Sequence, residues 1–211
     1  MLAALSLAAA SAAAAQTVTV AALGDSLTAG YGLPQGEGFV PAMQAWLEAR
    51  GHDVRIVNAG VSGDTTAGGA ARIGWTLTPE VDAVSVALGG NDFLRGIDPA
   101  VSRANLEAIL EAAQAAEVPA LVIGLVASPN YGPEWKAAFD AMYPELAEAY
   151  GAAYAPSFFA GMTRAAGGGA PAQLRPYMQA DGIHPNAEGV ALVVEALGPY
   201  YEALVEAASG S

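Results

Sequence analysis

Ser26 stands in Gly24-Asp-Ser-Leu27, where the apolar run Thr17–Leu23 gives way to Thr28-Ala-Gly-Tyr-Gly32. A serine there has two uses: it caps the following helix, or it is a nucleophile held at a strand-to-helix junction. The second use demands a base, because a hydroxyl attacks poorly until its proton is taken. Two histidines are available. His52, in Arg50-Gly-His-Asp53, falls in a helix-to-strand turn. His184 falls in Asp181-Gly-Ile-His-Pro-Asn186, ahead of the last helix. Pro185 disfavours the α conformation at His184, so the imidazole sits on an extended segment. Asp181, three residues upstream, can turn back to accept from Nδ1, leaving Nε2 outward as a base.

These residues act together only if the fold brings them to one edge. After the first run, apolar stretches at Val54–Ala59, Ala83–Leu88, Ala120–Val126 and Ala152–Ala155 alternate with helical patterns. The helices are expected at Phe39–Arg50, Ala67–Leu77, Pro99–Ala116, Pro133–Tyr150 and Ala187–Val205. Val101, Leu106, Ile109 and Leu110 recur near a period of 3.6, as an amphipathic helix requires. Continuously apolar strands separated by helices predict an α/β three-layer sandwich around a central parallel five-stranded sheet. Ligands in such sheets bind beyond the carboxyl ends of the strands. The first three strands deliver Gly24-Asp-Ser26, Asn58-Ala-Gly-Val-Ser-Gly-Asp64 and Gly89-Gly-Asn-Asp92 to that edge. His52 belongs to the opposite edge. The stretch Gly167-Gly-Gly-Ala-Pro171 is either a surface loop or a mobile rim. Trp46, Trp75 and Trp135 are expected in the core or in a groove wall.

Eight Lys+Arg against 21 Asp+Glu give a formal charge of -13, which repels phosphate backbones and anionic headgroups. Nucleic acid is therefore not an expected partner. The absence of cysteine removes thiol nucleophiles, disulfides and thiolate metal sites, and no metal or other cofactor is expected. Residues 1–16 are uncharged and nearly all Ala and Leu, as in a secretory signal cleaved near Ala15. That predicts an exported, periplasmic or secreted protein with no stable membrane anchor. Residues 17–211 are then expected to form one domain, with a monomer favoured.

Four motifs, Gly24-Asp-Ser-Leu27, Asn58–Thr65, Gly89-Gly-Asn-Asp92 and Asp181–Asn186, occur in an order that resembles the SGNH hydrolase (GDSL esterase/lipase) superfamily. The resemblance is to its thioesterase I/protease I/lysophospholipase and arylesterase group, with a flavodoxin-like fold, and it runs from Val18 to Leu204. It implies Ser26 as nucleophile, His184 as general base and Asp181 as the acid that orients it. It further implies an oxyanion hole of Ser26, Gly63 and Asn91. Substrate contacts are expected from Asp92, Phe93, Leu94, Ile97, Asn130 and Tyr131; for Asp92, anchoring of its own turn is the alternative, and for Phe93, Leu94 and Ile97, ordinary packing. Asp25 and Asp64 are expected to cap or tie loops. The implied substrate is a small-molecule ester, a thioester or a lysolipid. Two rivals are a carbohydrate acetyl esterase on the same fold and a non-catalytic binding module. The Gly-x-Ser-x-Gly elbow of α/β-hydrolases is absent around Ser26.

Overall fold

The computed structural model describes residues 17–210; the expected leader lies outside them. Five strands, β1 (Val18–Gly24), β2 (Val54–Gly60), β3 (Ala83–Ala87), β4 (Ala120–Ile123) and β5 (Ala153–Ala155), form one parallel sheet in the order β2-β1-β3-β4-β5. The chain steps from β1 to β2 on one side and returns to β3 on the other. The reversal of strand order opens a crevice at the carboxyl ends of β1 and β3, the expected place for a ligand.

Strand side chains alternate between faces, so β1 feeds two cores. Val18, Val20 and Ala22 pack with α2 (Phe39–Glu48), α7 (Ala160–Ala165) and α9 (Ala187–Ser209). Ala21 and Leu23 pack on the other face with α3 (Thr66–Thr76), α5 (Pro99–Ala115) and α6 (Pro133–Ala149). The two cores make the three expected layers. One polar pair crosses the first core: the Ser85 and Tyr201 hydroxyls meet at 2.6 Å, so neither is buried unpaired.

Three differences from the sequence reading have local causes. The fourth strand ends at Ile123 rather than Val126: Gly124 N still donates to Ala155 O of β5 at 2.8 Å, but its carbonyl accepts from Phe158 N, beyond β5, at 2.9 Å. A Cβ at position 124 would lie 2.7 Å from Pro156 O, so this crossing requires glycine. Leu125–Ala127 are thereby freed from the sheet. The Gly89–Asp92 segment is not a simple turn but opens a short helix, α4 (Gly90–Leu94). The closing helix starts at Ala187 as expected but runs on to Ser209. Two further short helices occur, α1 (Ser26–Ala29) and α8 (Pro171–Leu174), the latter ending the Gly167–Pro171 loop.

Candidate active site

Ser26 is the first residue of α1, directly beyond β1. The capping role belongs to its neighbour: Asp25 Oδ1 accepts the Leu27 N–H at 2.9 Å. The Ser26 hydroxyl is left free, and Oγ lies 2.8 Å from His184 Nε2. On the other side of the ring, Nδ1 lies 2.6 Å from Asp181 Oδ2. Asp181 Oδ1 accepts the main-chain N–H groups of Ile183 and His184 at 2.9 and 3.0 Å. The imidazole bond, reinforced by these two amides, holds the Asp181 carboxyl down at about 2, so it is ionised at neutral pH. An ionised Oδ2 needs a donor, which fixes the proton on Nδ1 and makes Nε2 the acceptor for Ser26. The three residues form a serine–histidine–aspartate relay at the mouth of the crevice.

The relay opens onto a cleft of about 440 Å³. Gly63, with φ +82°, and Asn91, on α4, lie in its wall beside Ser26. Among the described residues, neither the Ser26 nor the Gly63 main-chain N–H donates to a protein acceptor. Asn91 Nδ2 is held by Asp64 O at 2.9 Å and more loosely by Asp25 Oδ2 at 3.3 Å. Two unoccupied amides and one loosely tethered carboxamide can therefore converge on developing negative charge. Beneath them Asp25 is buried, and desolvation pushes its carboxyl up to about 6 against the opposing pull of the Leu27 N–H and His184.

The expected substrate contacts divide. Phe93 and Leu94 line the cleft. Ile97 does not, and Asn130 lies outside the lining, on a 3-10 turn over Pro129–Tyr131. Tyr131 packs edge-on against Phe93, with ring centroids 6.0 Å apart, and so supports the wall rather than forming it. Asp92 departs from the expected substrate contact altogether. It is fully buried and accepts from Thr66 N at 2.9 Å, Thr66 Oγ1 at 2.5 Å and Ser102 Oγ at 2.9 Å. Its carboxylate ties α4 to α3 and α5. His52 pairs with Glu202 at 2.8 Å, away from the cleft. Trp135 stacks on the cleft residue Phe139 at 4.9 Å. Trp75 corrects the expectation for the tryptophans, being 86% exposed.

Several cleft residues carried no recognisable signal in the sequence. Leu125, Val126 and Ala127 line it because Gly124 turns out of the sheet. Phe159, Met178 and Ile183 come from irregular segments. Tyr31 was within sight, five residues after Ser26, and its ring packs 4.6 Å from that of His184.

The comparisons with known proteins agree with this geometry. Residues 22–192 match the model of the GDSL-like Lipase/Acylhydrolase family. The chain is 40% identical to Esterase TesA of Pseudomonas aeruginosa over 92% of its length and 91% of that protein's. It is 33% identical to Thioesterase 1/protease 1/lysophospholipase L1 of Escherichia coli K12, covering 92% of this chain and 87% of the relative. Among solved structures, the psychrotrophic esterase EstA from Pseudoalteromonas sp., inhibited by monoethylphosphonate, superposes with a TM-score of 0.78 at 31% identity. That match covers 89% of this chain and 98% of EstA. A shared sheet, a serine relay at its carboxyl edge and similarity along nearly the whole chain lead to one assignment: the protein belongs to the GDSL-like lipase/acylhydrolase family of SGNH hydrolases.

Proposed function

We propose that this serine esterase works through an acyl-enzyme on Ser26. The 2.8 Å Ser26–His184 contact, backed by the 2.6 Å bond to Asp181, carries the reading. Nε2 takes the Oγ proton as Oγ attacks the carbonyl carbon of a carboxylic ester. The tetrahedral oxyanion is held by the Ser26 and Gly63 amides and by Asn91 Nδ2, which trades its 3.3 Å bond to Asp25 for the new charge. The imidazolium gives its proton to the leaving alcohol. Water, deprotonated by the same Nε2, then releases the acid and restores the Ser26 hydroxyl.

The cleft wall favours an apolar acyl or aryl group. Leu27, Phe93, Leu94, Leu125, Val126 and Phe139 supply mostly hydrocarbon, with few partners for sugar hydroxyls. Aryl esters, acyl esters and lysophospholipids rank first, and acyl thioesters second, in line with the names its relatives carry. A carbohydrate acetyl ester fits this wall less well. The uncharged Ala/Leu run at residues 1–16 supports export, and no described helix is long and apolar enough to cross a membrane.

A panel of p-nitrophenyl esters of rising chain length, with His184→Ala and Ser26→Ala, tests the reading. Each substitution is expected to lower turnover by about three orders of magnitude or more with little change in Tm. A fluorophosphonate probe is expected to label the parent but not Ser26→Ala. Labelling that survives Ser26→Ala, or parent-like turnover in either variant, overturns it.

A further inference from the structure

The turn that carries His184 is closed on itself and then tied to the nucleophile's loop by one side chain. Gln179 N donates to His184 O at 2.7 Å, and Gly182 N to Gln179 O at 3.0 Å. Met178 and Pro185 pair as an antiparallel bridge at its base. The Gln179 carboxamide then leaves the turn. Its Nε2 donates to Tyr31 O at 2.8 Å and to Pro185 O at 2.9 Å, which engages both of its N–H bonds. Tyr31 N in turn donates to Ser26 O at 3.1 Å, while the Tyr31 ring packs on His184. The amide lies close against Gly32, where a Cβ would come within 2.2 Å of Gln179 Oε1.

This bond has a particular place in the site. Among the described residues, segments 26–32 and 178–185 are joined by two hydrogen bonds: Ser26 to His184, and Gln179 to Tyr31. The first is broken and remade as the proton moves through each turnover, so it cannot also keep the two segments in register. The second involves no titrating atom and persists throughout the cycle. Nucleophile and base lie 158 residues apart in sequence, so their alignment depends on such a brace.

We infer that Gln179 is a positioning residue that holds His184 against Ser26 through the Tyr31 carbonyl. The inference rests on the Ser26–His184 reading above. A displacement of about 1 Å between reacting groups can cost on the order of 100-fold in rate, so removal of the brace acts on turnover rather than on substrate affinity.

Gln179→Met keeps the length and bulk of the side chain and removes both donors. Rates are taken per folded molecule, from circular dichroism of the same samples, so a partly unfolded variant still reports. The kcat on a p-nitrophenyl ester and the rate of fluorophosphonate labelling are expected to fall together, by about 10- to 100-fold, with KM unchanged within about twofold. In a His184→Ala background the same substitution is expected to cost nothing further, because its effect passes through the imidazole. Parent-like kcat and labelling in Gln179→Met overturn the inference, as does an equal loss with and without His184. Parent-like rates in His184→Ala alone would instead remove the Ser26–His184 reading, and this inference with it.

Discussion

Asp25 shows how much one carboxyl beside Ser26 can set. It caps α1 through the Leu27 N–H and touches Asn91 Nδ2, yet it is buried, and desolvation raises it to about 6. A carboxyl raised in the folded state contributes stability below its unfolded value, which is lost as pH rises through 6. Asp25→Asn keeps an acceptor for Leu27 and removes the charge. The stability of the variant minus that of the parent, read from melts, is therefore expected to grow as pH rises from 4 to 8, by at most about 3 kcal/mol at 1.36 kcal/mol per unit. A difference independent of pH would show that Asp25 ionises as freely as an exposed carboxyl. At this scale the sequence is readable where chemistry is local. Asp181 and His184 are three residues apart, and the turn between them makes their bond expected. For Asp92 an anchoring role is legible but its partners are not, because Thr66 and Ser102 reach it only after α3 and α5 pack.

Among the elements, α3 does more than cover the sheet. Its Arg72 donates Nε to Asp64 at 2.8 Å and its two terminal nitrogens to Ala59 O at 2.7 Å and Gly24 O at 2.9 Å. One guanidinium thereby fastens the carboxyl ends of β1 and β2 and the loop that carries Gly63. Arg72→Ala removes a donor from two carbonyls and a carboxylate, of which Gly24 O keeps the Val61 N–H at 3.0 Å. The expected cost is about 2–3 kcal/mol, or roughly 5–10 °C in Tm, with a loss of kcat from the loosened loop. An unchanged thermal melt would mean that water replaces the fork without penalty. The long helices and most strands were legible because their apolar periods extend over many residues. Helix α4 was not, since Gly90–Leu94 is too short to show a period. The early end of β4 was hidden as well: Leu125 and Val126 continue the apolar run, and only the approach of Pro156 reveals why Gly124 turns away.

At the scale of the whole molecule, the parallel sheet follows from alternating strands and helices, and the −13 charge from simple counting; the order β2-β1-β3-β4-β5 does not follow from the alternation. A net charge of that sign works against the approach of anionic substrates to the largely apolar cleft, over distances set by ionic strength. For an anionic ester, kcat/KM is expected to rise severalfold between about 10 mM and 150 mM salt, as the screening length falls from roughly 30 Å to 8 Å. For a neutral ester of the same acyl group it is expected to stay within about twofold. Equal salt dependence would place the controlling charge elsewhere. The 158-residue separation of Ser26 and His184 has a consequence for synthesis. His184 is delivered just ahead of α9, whose Val193, Leu197 and Tyr201 complete the core beneath β1. A nascent polypeptide on the ribosome thus carries Ser26 early, while the proposed Ser26–His184 pair waits until residue 184 has emerged.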